Sequence, residues 1–211
     1  MTRSLLELSD RLSQDRVWRL KEISSVLKLS KSASLGVVER EFCLRAGAAL
    51  FYAHWEGFVK RAATAYLEYI ALQRPRVDQM ADFLLCLFVQ DRISNLYDRA
   101  RVLEVAQMLL RSAEAQPKVN YKSAIDTESN LSSKVFKKVL IQIGLSTSPF
   151  DTKMNAIDTK ILNNRHPIAH GAKGEIDTEE LEEIGALVIG LCESFKDEIE
   201  NAAVGRAFLR S

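Results

Sequence analysis

The chain has 211 residues, 47% hydrophobic and 27% charged, with only 4 Pro and 9 Gly, a composition that fits one globular domain with a substantial core and excludes a low-complexity chain. A formal net charge of +1 gives no global reason to expect nucleic acid. The longest apolar run, Ala81 to Val89 broken only by Asp82, is too short to span a bilayer.

Helical periodicity dominates and no alternating strand pattern occurs. Leu5, Leu8, Leu12, Val17, Leu20, Ile23 and Leu27 predict a first amphipathic helix, in one or two pieces. The stretch from about Leu35 to Leu72 is rich in helix formers, free of Pro and followed by Pro75, so one long helix is expected unless Gly47 or Gly57 bends it. Further helices are predicted from Val77 to about Ile93 and from Asp98 to about Ser112. Gln116 to Asn130 is polar, contains Pro117 and reads as a loop. Ser132 or Ser133 then caps a helix reaching Ile143, with Gly144 just beyond. A short helix from Met154 to Asn163 leads into Asn164-Arg165-His166-Pro167-Ile168-Ala169-His170-Gly171. Asp177 with Glu180 has capping-box spacing and opens a last helix with the apolar stripe Leu181, Ile184, Val188, Leu191, Phe195 and Ile199. The fold class is all-α, a helical bundle read as a single domain over 1–211.

Charge is unevenly spread. Ten acidic residues and one Lys lie between Glu175 and Glu200, leaving a local −9 against +10 elsewhere. Lys118, Lys122, Lys134, Lys137 and Lys138 belong to the basic excess, read either as solvated helix faces or as a phosphate-holding surface. Cys43, Cys86 and Cys192 are far apart, odd in number and set in apolar stretches. They read as buried thiols of a reducing compartment. With no secretory-type start, the expected location is cytoplasmic, with no membrane partner.

Two of the three histidines, His166 and His170, fall within five residues, beside Arg165 and before Gly171. Arginine grips a phosphate with paired hydrogen bonds, and histidine exchanges a proton near neutral pH. RNA cleavage needs a base for the 2′-hydroxyl, an acid for the leaving oxygen and a cation for the phosphorane. One His cannot be base and acid in a single step, whereas a dimer pooling two copies supplies both. On an ideal helix Arg165 and His170 stand about 140° apart, and a kink or restarted turn at Pro167 could bring them together. A helix end whose Arg and His meet terminal carbonyls is the plainer alternative. A metal site using His166 and His170 at i, i+4, with Glu175 or Asp177, is a further one. Pro167 disturbs that spacing and Arg165 repels a cation, so neither a metal nor a cofactor is expected. In the long helix, Tyr52-Ala53-His54-Trp55-Glu56-Gly57-Phe58-Val59-Lys60 places polar groups in a buried setting where they need partners. Glu56 and His54 are therefore candidates to orient Arg165 or His170, with Asn164 and His166 as adjacent supporting residues.

Arg165, four residues and His170, ending Ile168-Ala169-His170-Gly171, resemble the Arg-x4-6-His signature of HEPN domains (higher eukaryotes and prokaryotes nucleotide-binding). The stretch Ala49 to Lys60, then Asn130-Leu131-Ser132-Ser133-Lys134-Val135-Phe136, then Ile157-Asp158 resemble a bacterial HEPN subfamily found among toxin and phage-defence genes. The resemblance covers roughly Val38 to Phe195, leaving the N-terminal helix (2–30) as an elaboration. It implies a dimerising helical bundle with a composite, metal-independent ribonuclease site in the dimer cleft. Arg165 would contact the scissile phosphate and His170 would be the general acid/base. The implied partners are a second copy, an RNA substrate and an antitoxin or defence protein. Two departures stand out. His166 occupies the place where the family usually has Asn. Ala172 occupies the place where some HEPN toxins carry a Tyr that a partner enzyme adenylylates. The alternative function is a non-catalytic HEPN-like module that binds nucleotide or RNA, or a dimeric scaffold.

Overall fold

Ser4 opens the first helix with a reciprocal cap. Its Oγ accepts from the Glu7 N–H at 3.2 Å, and the Glu7 carboxylate accepts from the Ser4 N–H at 3.2 Å. A computed structural model describes residues 2–93, 99–111, 113–169, 171 and 175–210. Among them the regular structure is helical, apart from one Met80–Leu209 bridge. The first helix, α1 (Leu5–Ser30), is a single piece.

The next helix, α2 (Val37–Gln73), runs for 37 residues, and neither Gly47 nor Gly57 interrupts it. Both glycines mark close helix approach. A Cβ at Gly47 would stand 2.9 Å from Val26 Cγ1 and 3.2 Å from Leu181 Cδ1, and one at Gly57 would stand 3.0 Å from Arg19 Nη1. The helix stops at Arg74, whose φ of +50° is left-handed, and Pro75 follows.

The helix expected from Val77 is shorter and later. A 3-10 turn at Val77–Gln79 gives way at Met80, and α3 (Asp82–Arg92) begins beyond it. The break lets the chain pair with its own C-terminal segment. Ala81 N–H donates to Phe208 O at 2.9 Å, and Arg210 N–H donates to Gln79 O at 2.8 Å. α4 (Arg99–Arg111) follows; its expected first and last residues, Asp98 and Ser112, lie outside the described residues. The polar stretch before α5 (Ser133–Gln142) is loop as expected, yet it buries Val119, Ile125 and Thr127. Ser132 caps α5 by accepting from the Val135 N–H at 3.3 Å. Gly144 has φ +73°, where an added Cβ would run into the Phe83 ring.

The last helix is α8 (Thr178–Val204), and its predicted stripe is buried throughout. It packs with α1 and α2 as the main core. Although expected as an elaboration, α1 supplies Leu8, Leu12 and Ile23 to that core. Phe136 of α5 ties three elements together, meeting Trp55 at 4.9 Å, Phe150 at 5.0 Å and Phe195 at 5.6 Å between ring centroids, each edge-on. Truncating it to Ala would cost about 3–5 kcal/mol.

Between α5 and α8 runs a rod of three pieces: α6 (Met154–Ala156), a π turn (Ile157–Leu162) and α7 (Asn163–Ala169). The irregularity expected at Pro167 lies earlier, in the π turn. Pro167 is accommodated inside α7, where the missing N–H removes only the bond to the Asn163 carbonyl. Among the described residues no helix is long and apolar enough to cross a membrane.

Candidate functional site

Arg165 is carried by α7, half-buried, with its guanidinium carbon 4.7 Å from the centroid of the Tyr52 ring. This distance is within the range of a cation–π contact. Tyr52 is 3% exposed, so its hydroxyl needs a partner inside the protein. It accepts from the Leu131 N–H at 2.8 Å. One turn along α2, Glu56 Oε1 accepts from Thr127 Oγ1 at 2.7 Å. Burial pushes the Tyr52 phenol up to about 12, the Glu56 carboxylate adds to this, and the Leu131 N–H and Arg165 oppose it. The phenol therefore stays protonated at neutral pH and serves as an anchor, not as an acid or base.

Four further bonds fix the rod that carries Arg165. Asn164 Nδ2 donates to Lys160 O at 3.0 Å and to Glu180 Oε1 at 2.9 Å. Asp158, in the π turn, accepts from the Ser133 N–H at 2.8 Å and from Ser133 Oγ at 2.5 Å. Asp177 caps α8 by accepting from the Glu180 N–H at 2.8 Å, while the Glu180 carboxylate, which a capping box would turn back, reaches Asn164 instead. Asp177 thus acts as a helix cap. π turns often accompany functional sites because they re-aim the residues that follow.

Of the predicted site residues, the structure brings Arg165, Asn164 and Glu56 to one region of the fold. His166 is exposed. His170 lies outside the described residues. His54 is a correction, because it does not join Arg165. It lies two residues from Tyr52 and from Glu56, about 200° around α2, and faces α1. There it is 2% exposed, with Nε2 3.0 Å from Glu22 Oε2, Nδ1 3.4 Å from Arg19 Nη1, and the Trp18 ring edge-on at 5.3 Å. Arg19 Nη1 also donates to the His54 carbonyl at 3.0 Å, and Arg19 Nε donates to Asp15 Oδ2 at 3.0 Å. A helix buried on several sides sends neighbouring polar residues to different partners.

Sequence reasoning missed Tyr52, Thr127 and the Asp158–Ser133 tie. The available signal was the i, i+4 spacing of Tyr52 and Glu56 on a buried helix. The cysteine expectation also needs correcting: Cys43 and Cys192 are buried but Cys86 is exposed. An apolar neighbourhood in sequence did not place Cys86 on the inward face of α3. The acidic excess of α8 is partly offset by Lys31–Glu182 at 2.6 Å, Lys160–Glu183 at 2.5 Å and an Arg16–Glu193 pair. Lys134 and Lys137 are exposed on α5.

Stacking engages the face of a guanidinium, whereas phosphate binding engages its edge. The Arg165 guanidinium carbon lies over the Tyr52 ring, a contact through the ring face that does not use up the arginine's N–H donors. The family model described as HEPN_MAE_28990-like HEPN matches residues 8–208. No curated protein and no solved structure matches the chain.

Proposed function

The chain belongs to the HEPN_MAE_28990-like HEPN family, and from that premise we propose that it is a metal-independent endoribonuclease acting as a homodimer. Family membership supports a nuclease or RNA-related role in coarse terms. The observation that carries the finer reading is the placement of the Arg165 guanidinium carbon over the Tyr52 ring, 4.7 Å from its centroid, in the motif residue that would meet the scissile phosphate. In this reading Arg165 neutralises the phosphorane and His170 transfers the proton. A second copy contributes another Arg165 and His170, so that one histidine deprotonates the 2′-hydroxyl while the other protonates the leaving oxygen. The 2′-oxygen attacks phosphorus, the bond to the 5′-oxygen breaks, and the products end in a 2′,3′-cyclic phosphate and a 5′-hydroxyl. Asn164, Glu56 and His166 support the site. The setting is that of a cytoplasmic toxin or phage-defence effector with an antitoxin or defence partner.

The test is cleavage of RNA by the purified protein with and without EDTA, beside the matching DNA and an RNA with a single 2′-deoxy nucleotide at the cut site. Cleavage of RNA alone, unaffected by EDTA and blocked by the 2′-deoxy substitution, is the expected result. Loss of activity with EDTA, or equal cutting of DNA, sinks it. Light scattering should give twice the 23.8 kDa chain mass, and a monomer at micromolar concentration counts against the composite site. His166 in the family's usual Asn position favours a second reading, a non-catalytic module that binds RNA. RNA binding without any cleavage would select it.

A further inference from the structure

Arginine has a long, rotatable side chain, and α7 is a seven-residue helix containing Pro167. Its own backbone bonds do little to fix where a guanidinium points. The orientation of Arg165 comes from outside the helix, through the Tyr52 ring at 4.7 Å. Tyr52 is itself held at its far end, where its hydroxyl accepts from the Leu131 N–H at 2.8 Å. The residue one turn on, Glu56, accepts from Thr127 at 2.7 Å. The Asn130 N–H donates to the Thr127 carbonyl at 3.0 Å, closing a tight turn that Leu131 directly follows, so a single loop element delivers two donors to two successive turns of α2.

That turn is unusual. Glu128 and Ser129 both have left-handed φ, +54° and +50°, a region that non-glycine residues seldom adopt. Other bonds keep it there. Asp126 Oδ1 accepts from the Glu128 N–H at 2.8 Å, and Lys138 of α5 donates to Glu128 Oε1 at 2.5 Å. Strained backbone held by surrounding structure directs attention to what it positions. Here it positions the Tyr52 hydroxyl and the Glu56 carboxylate.

We infer that Tyr52 is a positioning residue: its ring, held by core packing, aims the Arg165 guanidinium, and its hydroxyl holds the loop at Leu131. The inference rests on the reading that Arg165 meets an RNA phosphate. It assigns the aromatic face and the hydroxyl separate jobs, with the face aiming the arginine and the hydroxyl holding the loop. The two are therefore separable by substitution. Tyr52→Phe keeps the face and loses the hydroxyl. Tyr52→Leu loses both.

The experiment measures kcat and KM on a fluorogenic RNA oligonucleotide, melting temperature, and the Arg165 Nε–H resonance in ¹⁵N-labelled full-length protein. Tyr52→Phe should melt earlier yet keep kcat within about threefold, because the guanidinium stays aligned. Tyr52→Leu should lower kcat about 10- to 100-fold with little change in KM, as expected for a misaimed group whose charge is still present. A residue serving only stability would instead make activity follow melting temperature in both variants. If Tyr52→Phe loses as much kcat as Tyr52→Leu, or Tyr52→Leu loses none, the inference is overturned. Should the wild-type protein cut no RNA, the ribonuclease reading fails separately and the resonance decides the geometry. A ring-current displacement present in wild type and Tyr52→Phe, and gone in Tyr52→Leu, supports the inference; a displacement indifferent to the ring overturns it. Should Tyr52→Leu not fold, an undisplaced wild-type resonance overturns the inference and a displaced one retained by Tyr52→Phe supports it.

Discussion

Two sides of α2 carry buried or half-buried polar residues to different ends. On one side His54 meets Arg19, Glu22 and Trp18 in the seam with α1, where Arg19 pairs with Asp15 and both are themselves buried. These partners all belong to α1, on the side of α2 away from Tyr52 and Arg165. On the other side Tyr52 and Glu56 connect to the turn at Thr127–Leu131 and, through the ring, to half-buried Arg165. One cluster joins two helices. The other joins a helix, a loop and a motif residue. Buried polar groups in a helix therefore signal a need for partners, and the identity of the partners tells structural from functional use.

The largest expected effect lies on the Tyr52 side. Arg165→Ala removes a cation from the proposed phosphate site, and His170→Ala removes the proton-transfer group, a contribution of about 10²–10⁴ in rate. Both variants should stay folded, since the cation–π interaction that Arg165 makes contributes only about 0.5–2 kcal/mol. Expression of the wild-type chain should slow bacterial growth and either variant should relieve it. Folded variants as toxic as the parent would show the site to be misassigned.

The α1 side should behave in the opposite way. Arg19→Met leaves Asp15 buried with weaker partners, Trp18 Nε1 at 3.0 Å and Arg61 at 3.4 Å, and should cost about 3–5 kcal/mol of stability. At a temperature where the variant remains folded, its kcat should match wild type. A selective loss of kcat without loss of stability would erase the distinction between the two sides. Thr127→Val is a milder probe of the functional side. It keeps the buried shape, removes the hydroxyl that Glu56 accepts from, and should cost about 1.5–3 kcal/mol in urea unfolding. It should also lower kcat more than Arg19→Met does, and the reverse order would count against the loop's part in the site.

Much of the fold is legible in the sequence, for reasons specific to each element. The stripe of α8 is readable because its fully buried residues recur at helical spacing from Leu181 to Ile199. The caps at Ser132 and Asp177 are readable because capping is local chemistry. The Tyr52–Arg165 contact is not, since the two residues lie far apart in the chain and meet only where α7 docks. The π turn has no compositional signature, so the sequence points to Pro167, the nearest residue that breaks helices. His54 and Glu56 share a sequence neighbourhood, although a two-residue step carries them to nearly opposite directions on a helix. Cys86 misleads for the same reason, by neighbourhood and not by face.

The smallest expected effect separates the two sides by pH. His54 is held neutral: burial lowers its pKa first, the Arg19 guanidinium lowers it further, and Glu22 and Asp15 oppose. Histidine in an unfolded chain takes up its proton near pH 6.5, so between there and the lower folded value the unfolded state binds more protons. Where the unfolded state binds more protons, stability rises with pH. Acidification from pH 7 toward pH 5.5 should therefore weaken the fold, by at most about 1.4 kcal/mol per pH unit for this one group. Tyr52, pushed up to about 12, does not titrate in that interval and adds nothing to the slope. Urea unfolding across the interval should show wild-type stability rising with pH and His54→Gln lying flatter. Equal slopes would mean that His54 is not kept neutral by the α1 seam, and the contrast between the two sides of α2 would rest on partners alone.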